Sequence, residues 1–313
     1  MAGRRIFYVS KNFSYPLGGV RISHHHVGIL ARNGFDAAVL LRQDRPQDFF
    51  PADVPTQVFS ASFQFRDDDI FVVPEPWGDF LAQLAARPVR KVVFCQNHFY
   101  VSYGLGQHRD YSAYGVETVF CCGDVIAEFL RATFGLARVP IVHNAIDHVM
   151  FKPGSKRLQI AYMPRKMAKE ADFIRMAFRL RHPQFASLPW LPINMVAESE
   201  VARRLGGSAI FLSLSRLEGV GLPPLEAMAS GCLVVGFTGG GGLEFARDDN
   251  GFWCAPDDLV GAADALARAA TMFESDPTGY KGRREAGVQT SSRYNLQRLE
   301  QELLAFWQEE VAL

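Results

Sequence analysis

The sequence predicts an α/β protein made of two parallel, helix-wound units in succession, and three observations predict it. At 313 residues and 48% apolar content, the chain exceeds one small core and fits two domains of ordinary size. Its opening alternates strand and helix patterns, as a parallel sheet requires. Its second half restarts with a strand and then repeats the strand–turn–helix pattern around a glycine turn.

In order, Arg5 to Val9 reads as a strand, and the loop Ser10 to Val20 carries Gly18 and Gly19. A helical pattern follows from about Ile22 to Arg32, closed by Asn33 and Gly34, and Phe35 to Leu41 supplies the next strand. Ile70 to Val73, Arg90 to Cys95 and Val116 to Cys122 are further apolar runs of strand length, with a helix over Asp124 to Thr133 and a strand over Val139 to Val142. The second half opens with the strand Leu158 to Tyr162. Pro183, Pro189 and Pro192 then interrupt the chain, so that a strand is missing or irregular before Ala209 to Leu214. Cys232 to Phe237 is a strand, and Leu259 to Phe273 and Leu296 to Phe306 are helical by their apolar spacing.

Thirty-three basic and 33 acidic residues leave no net charge and no whole-chain argument for a nucleic-acid partner. The start, MAGRRIFYVS, has one strand of apolar residues behind its arginines, and no run reaches the ~18 residues of a transmembrane segment. A cytoplasmic protein is expected. Cys95, Cys121, Cys122, Cys232 and Cys254 are odd in number and lie in apolar segments, which suits buried free thiols. The successive histidines His24, His25 and His26 point about 100° apart on a helix and cannot converge on one metal. Asp67, Asp68 and Asp69 resemble a metal-holding acidic cluster, but a solvated strand entry explains them, and no metal is expected. A dinucleotide-binding oxidoreductase is a rival on fold alone, weakened because PLGGVRI lacks the full glycine spacing.

The chemistry concentrates in SLSRLEGVGLPPLEAMASGCLVVG, Ser213 to Gly236. Gly219 and Gly221 let the backbone turn tightly after a buried strand, and Pro223 and Pro224 fit only the first turn of a helix. A helix start aimed at a strand's carboxyl end, with glycine amides before it, attracts phosphate oxygens. Glu218 precedes the glycines and Glu226 is placed in the first helical turn, so two carboxylates frame one anion site. Read singly, Glu226 complements the helix dipole and Glu218 is a loop acid.

Taken together, EGVGLPPLEAMASG resembles the signature of retaining nucleotide-sugar glycosyltransferases of glycosyltransferase family 4, in which two glutamates stand eight positions apart across a glycine and proline turn. The resemblance is strongest over residues 140–255. HNAIDHVMFKPG looks like the family's interdomain segment, with Ala145 where glycine is usual, and Gly239 to Gly242 with Glu244 look like its later glycine turn. The resemblance implies a GT-B fold, two Rossmann-like doubly wound domains facing across a cleft. Residues 1–148 would form the acceptor-side domain and 149–313 the nucleotide-sugar donor domain, with a C-terminal helix, about 294–313, returning to the first.

It also implies a hexose transfer from a nucleotide diphosphate sugar to an acceptor hydroxyl with retention. The acceptor is a carbohydrate, glycolipid or small molecule, and no cofactor is needed beyond the donor substrate. Glu218 would bind sugar hydroxyls, Glu226 the ribose diol, and the amides of Gly219, Val220, Gly221 and Leu222 the phosphate and sugar oxygens. Arg165 matches the family's diphosphate arginine. Of Lys166 and Lys169, one and four positions later, Lys169 is favoured as its lysine partner. Gly18 and Gly19 would lie near donor phosphate or acceptor, and His98, at a strand end after Gln96 and Asn97, would contact the transferred sugar; His108, His143 and His148 rank behind it. A nucleotide-sugar epimerase or hydrolase, or a catalytically silent scaffold subunit, are the alternatives, and retention of both glutamates and Arg165 argues against the last.

Overall fold

The structure is a computed structural model that describes residues 4–10, 18–42 and 53–312. The chain folds as two compact units, Met1–Asn144 with Leu299–Leu313, and Ala145–Arg298. No helix among the described residues is long and apolar enough to cross a membrane.

The first unit follows the order β1 (Ile6–Ser10), α1 (Gly18–Arg32), β2 (Ala37–Leu41), β3 (Thr56–Val58), β4 (Ile70–Pro74), α2 (Gly78–Leu84), β5 (Arg90–Cys95), α3 (Val101–Leu105), β6 (Thr118–Cys121) and α4 (Asp124–Phe134). Its six strands are parallel in the order β3-β2-β1-β4-β5-β6. Residues of β1, β4 and β5 are almost all buried, as continuous apolar runs in a helix-covered parallel sheet must be. The strand order reverses between β1 and β4, and such switch points open a crevice at the strands' carboxyl ends. Phe94 stacks on Phe120 with ring centroids 4.4 Å apart, and Phe120 meets Phe306 of the C-terminal segment at 4.5 Å. Trp307 is fully buried and donates its Nε1–H to the Tyr8 hydroxyl at 3.0 Å.

The strand expected over Val139 to Val142 does not form. That segment makes one parallel bridge, Ile141 to Cys121, because Pro140 offers only a carbonyl to β6 and has no amide to continue a ladder. Asp69 is also not solvated: it is buried and takes a bidentate bond from Arg5 at 2.7 Å, while Asp67 and Asp68 are exposed. The loop predicted over Ser10 to Val20 falls mostly outside the described residues, and α1 starts at Gly18.

The second unit runs β7 (Arg157–Tyr162), α5 (Ala168–Arg181), β8 (Trp190–Pro192), α6 (Glu198–Gly207), β9 (Ser208–Ser213), α7 (Leu222–Ala229), β10 (Leu233–Gly236), β11 (Gly251–Trp253), α8 (Leu259–Ser275) and α9 (Pro277–Ser292). The last helix, α10 (Leu296–Ala312), comes after these. All pairs of this sheet are parallel, in the order β11-β10-β9-β7-β8, and the order reverses between β7 and β9. The proline-broken stretch does yield a strand, the three-residue β8. It lies at the sheet edge, where Pro192 is tolerated. Ala145 keeps a backbone that any residue adopts, since the only non-glycine residues with positive φ among those described are Met195, Leu217 and Asp257.

Candidate functional site

The second sheet's switch point brings together the segment after β7 and the segment after β9. After β9, Leu217 is held at a φ of 51°, a left-handed conformation uncommon outside glycine, and the chain then presents Glu218. Glu218 N–H donates to the Gly239 carbonyl at 2.8 Å, and Gly241 N–H donates to the Glu218 carbonyl at 3.0 Å. The amides of Gly219, Val220 and Gly221 take part in neither bond. Gly221, at a φ of 95°, is the N-cap of α7, and Pro223 and Pro224 occupy its first turn. Because prolines carry no amide, the backbone donors at this helix end are those of Leu222 and of the glycine turn before it.

Four glycines in a row invite a reading of flexibility, but here they answer to space. A Cβ on Gly241 would lie 1.9 Å from the Gly219 carbonyl oxygen, and one on Gly239 would lie 2.8 Å from Ser215 Cβ. The two turns therefore press backbone to backbone, and only glycine fits between them. Ser213 fixes the strand ends beneath, with its hydroxyl 2.7 Å from the Phe237 carbonyl. Below α7, the Lys156 ammonium donates to the carbonyls of Leu205 at 3.0 Å and Ser230 at 2.6 Å, capping the ends of α6 and α7. Burial pushes its pKa down.

After β7, residues 164–166 form a single tight turn before α5. Arg165 is exposed there, and Lys166 Nζ lies 2.7 Å from Glu218 Oε1 with both side chains partly open to solvent. Lys169, favoured from the sequence, is exposed in the first turn of α5, so it is Lys166 that the fold joins to Glu218. Glu226 is the fifth residue of α7, in its second turn rather than its first, and is only 5% exposed. A buried carboxylate beyond the first turn has little to do with the helix dipole.

In the first unit, Gly19 begins α1 beside Gln96, whose side-chain oxygen would be 3.1 Å from a Cβ there; Gly18 is the first residue of that helix. His98 comes after β5, half-buried against Phe99 and Phe129, with ring centroids at 4.1 and 5.1 Å. Its Nδ1 is buried with no hydrogen-bond partner, and burial lowers its pKa, which favours the neutral imidazole. Three other histidines have partners of their own. His143 meets Glu302 at 3.0 Å, His108 packs its edge on Tyr114, and His26 Nδ1 takes the Tyr8 hydroxyl at 3.2 Å and stacks on Phe94. Burial brings His26 down to about 3.

Sequence reasoning missed Glu75, which comes directly after β4. It is 4% exposed, and its Oε2 accepts the Gln96 amide at 3.0 Å. Burial raises its pKa to about 7. A lone glutamate in PEPW carries no pattern that separates it from a solvated loop acid.

Residues 193–289, which include β9, the glycine turn and α7, match the family described as Glycosyl transferases group 1. An alpha-1,6-glucosyltransferase of Actinobacillus pleuropneumoniae serotype 7 (strain AP76) is 27% identical over 298 residues, covering 91% of this chain and 89% of that protein. Among solved structures, the sucrose-phosphate synthase of Thermosynechococcus elongatus superposes with a TM-score of 0.72 at 14% identity over 99% of both chains. Anabaena HepE, solved with UDP and glucose, gives 0.72 at 13% identity over 98% of this chain and 100% of its own. These likenesses identify the two parallel sheets as the GT-B fold. The group 1 match lies across the second sheet's switch point, so residues 193–289 carry a group 1 glycosyltransferase segment, and the chain is a retaining glycosyltransferase of the GT-B fold that moves a hexose from a nucleotide diphosphate sugar to an acceptor hydroxyl.

Proposed function

We propose that this chain transfers glucose from UDP-glucose, with its second unit as the donor domain and its first on the acceptor side. The observation that carries the reading is the juxtaposition of Glu218, Lys166 and the glycine turn Gly219, Val220 and Gly221 at one switch point. The glucosyl transfer named for the Actinobacillus relative and the UDP and glucose of the HepE structure support the choice of donor.

In this reading the diphosphate meets the glycine-turn amides, with Leu222 completing the set, and the cations Arg165, Lys166 and Lys169. These groups stabilise a charge that grows as the nucleoside diphosphate leaves, so they act on the rate more than on ground-state binding. Glu226 accepts both ribose hydroxyls, which a buried carboxylate does without competition from water. Glu218 binds glucose hydroxyls and exchanges its Lys166 partner for them. The leaving phosphate takes the acceptor proton on the face it departs from, so configuration is retained without a protein nucleophile. His98 contributes a neutral imidazole to the transferred sugar, and Gly18 and Gly19 lie near phosphate or acceptor. The acceptor is a carbohydrate, a glycolipid or a small hydroxyl compound. A cytoplasmic setting, where nucleotide sugar is at hand, suits five cysteines that are all free.

The test is a thermal-shift series over nucleotide diphosphate sugars, and then turnover of the one that stabilises most. UDP-glucose is expected to raise the melting temperature above the other donors and to be consumed equally well in excess EDTA, since lysine, arginine and amides meet the phosphate charge. Stabilisation by another base or sugar replaces the donor assignment. Loss of turnover in EDTA, restored by manganese, contradicts the charge assignment.

A further inference from the structure

A buried carboxylate with no cation beside it is costly to keep, and among the described residues no cation pairs with Glu75. It stands directly after β4 where Pro74 pairs with Phe94 of β5, so its side chain reaches past the end of the neighbouring strand. There it accepts hydrogen bonds from the backbone amides of Gln96 and Asn97. These two peptides lead into His98, and Asn97 in turn caps the short turn that carries it by accepting the Phe99 amide at 3.1 Å. The backbone of Glu75 is itself fixed. Tyr111 donates its hydroxyl to the Glu75 carbonyl at 2.6 Å, and Gly104 lies so close that a Cβ on it would be 1.8 Å from that oxygen.

We propose that Glu75 is a positioning residue, whose carboxylate clamps the Gln96–His98 segment in the shape in which His98 serves the transfer. The proposal rests on the reading that His98 contacts the transferred sugar. As a carboxylate, Glu75 accepts both amides; as a carboxylic acid, it gives up acceptor capacity at one oxygen, which becomes a donor, and the clamp loosens. The titratable groups facing it are the Cys95 thiol and the Tyr111 phenol, with Cys121 and Cys122 beyond Cys95 and Tyr114 beside Tyr111. Burial raises both Cys95 and Tyr111, so both are uncharged near neutrality. The clamp therefore tightens as pH rises through about 7, the value to which burial brings Glu75. Burial pushes His98 the other way, below its ordinary value, so its titration carries the opposite shift to that of Glu75.

The experiment compares the whole protein with Glu75→Gln in two measurements. Hydrogen exchange at the Gln96 and Asn97 amides, corrected for intrinsic pH dependence, is expected to show protection that grows between about pH 6 and about pH 8 in the wild type and stays flat in the variant. In turnover, the wild-type kcat is expected to rise over the same interval. The variant is expected to lose kcat by about 100-fold without that rise, while UDP affinity and the donor KM stay within about twofold. Wild-type exchange that ignores pH overturns the clamp, as does a variant that keeps the wild-type kcat and pH limb. A variant that fails to fold leaves the wild-type exchange profile to decide. Because exchange needs no substrate, a wild type inactive on UDP-glucose fails the donor reading alone.

Discussion

At the scale of single residues, burial decides what the charges in this chain do, and burial is what a sequence states least directly. The sequence places Asp69 in a solvated strand entry and leaves Glu75 unmarked, yet Asp69 is buried on Arg5 and Glu75 is buried on backbone amides. The difference has a measurable sign. The folded state raises Glu75 from its ordinary 4.5 to about 7, so the group's contribution to stability is full below 4.5 and is lost as pH rises through 7. His26 works oppositely. Its folded value near 3 lies below its ordinary 6.5, so its contribution is present above 6.5 and is lost as pH falls. Both run together in the wild type, but His26 is common to wild type and Glu75→Gln. Urea unfolding at about pH 5 and about pH 8 is expected to show the variant gaining about 2–3 kcal/mol relative to wild type at the higher pH. An equal difference at both values means that Glu75 is not raised in the fold. Lys166 teaches the same lesson at the site. Spacing singles out Lys169 for the diphosphate and says nothing of Lys166 meeting Glu218, a contact made by the tight turn at residues 164–166.

At the scale of elements, apolar patterns reveal the strands well and say little about polar helices. β1, β4, β5, β9 and β10 are buried runs that no other element type fits at that length. α9 escaped, because its sixteen residues are mostly polar and contain Gly279, Gly282 and Gly287. Packing supplies the reason for at least one of them: Gly287 lets the helix approach α7, where a Cβ would be 3.3 Å from Met228. The glycine turn after β10 shows the same logic at the site and gives a sharp prediction. Gly241→Ala places a methyl 1.9 Å from the Gly219 oxygen, so the two turns must separate and the amides lose their aim. The expected result is a fall in kcat/KM of about 100-fold, comparable to a 1 Å misplacement of a reacting group. Gly282→Ala, where nothing lies within 4 Å, is the matched control. It is expected to keep full activity and gain about 0.5–1 kcal/mol of stability. Equal effects of the two substitutions contradict the close-packed turn.

At the scale of the whole molecule, the two parallel sheets, each reversing its strand order once, were legible from the alternation and its restart. The stretch at the centre of the group 1 match was legible too, because Glu218, the glycines, the prolines and Glu226 fall within one short run where each type has a local reason. Groups that meet only through the fold, Lys166 with Glu218 or Glu75 with Gln96, have no such local signature. The central claim is that the second unit holds the nucleotide with Glu226 on its ribose and Glu218 on the sugar. The most direct measurement is calorimetric titration of UDP into wild type, Glu226→Gln and Glu218→Gln, after each is shown to melt like wild type. A carboxamide keeps one good acceptor where the ribose diol wants two, so Glu226→Gln is expected to weaken UDP by about 1.5–3 kcal/mol, or about 10- to 150-fold. Glu218→Gln is expected to bind UDP as the wild type does while losing turnover. UDP affinity lost in Glu218→Gln and kept in Glu226→Gln reverses the pair, and affinity and turnover unchanged in both contradict a donor site at this turn.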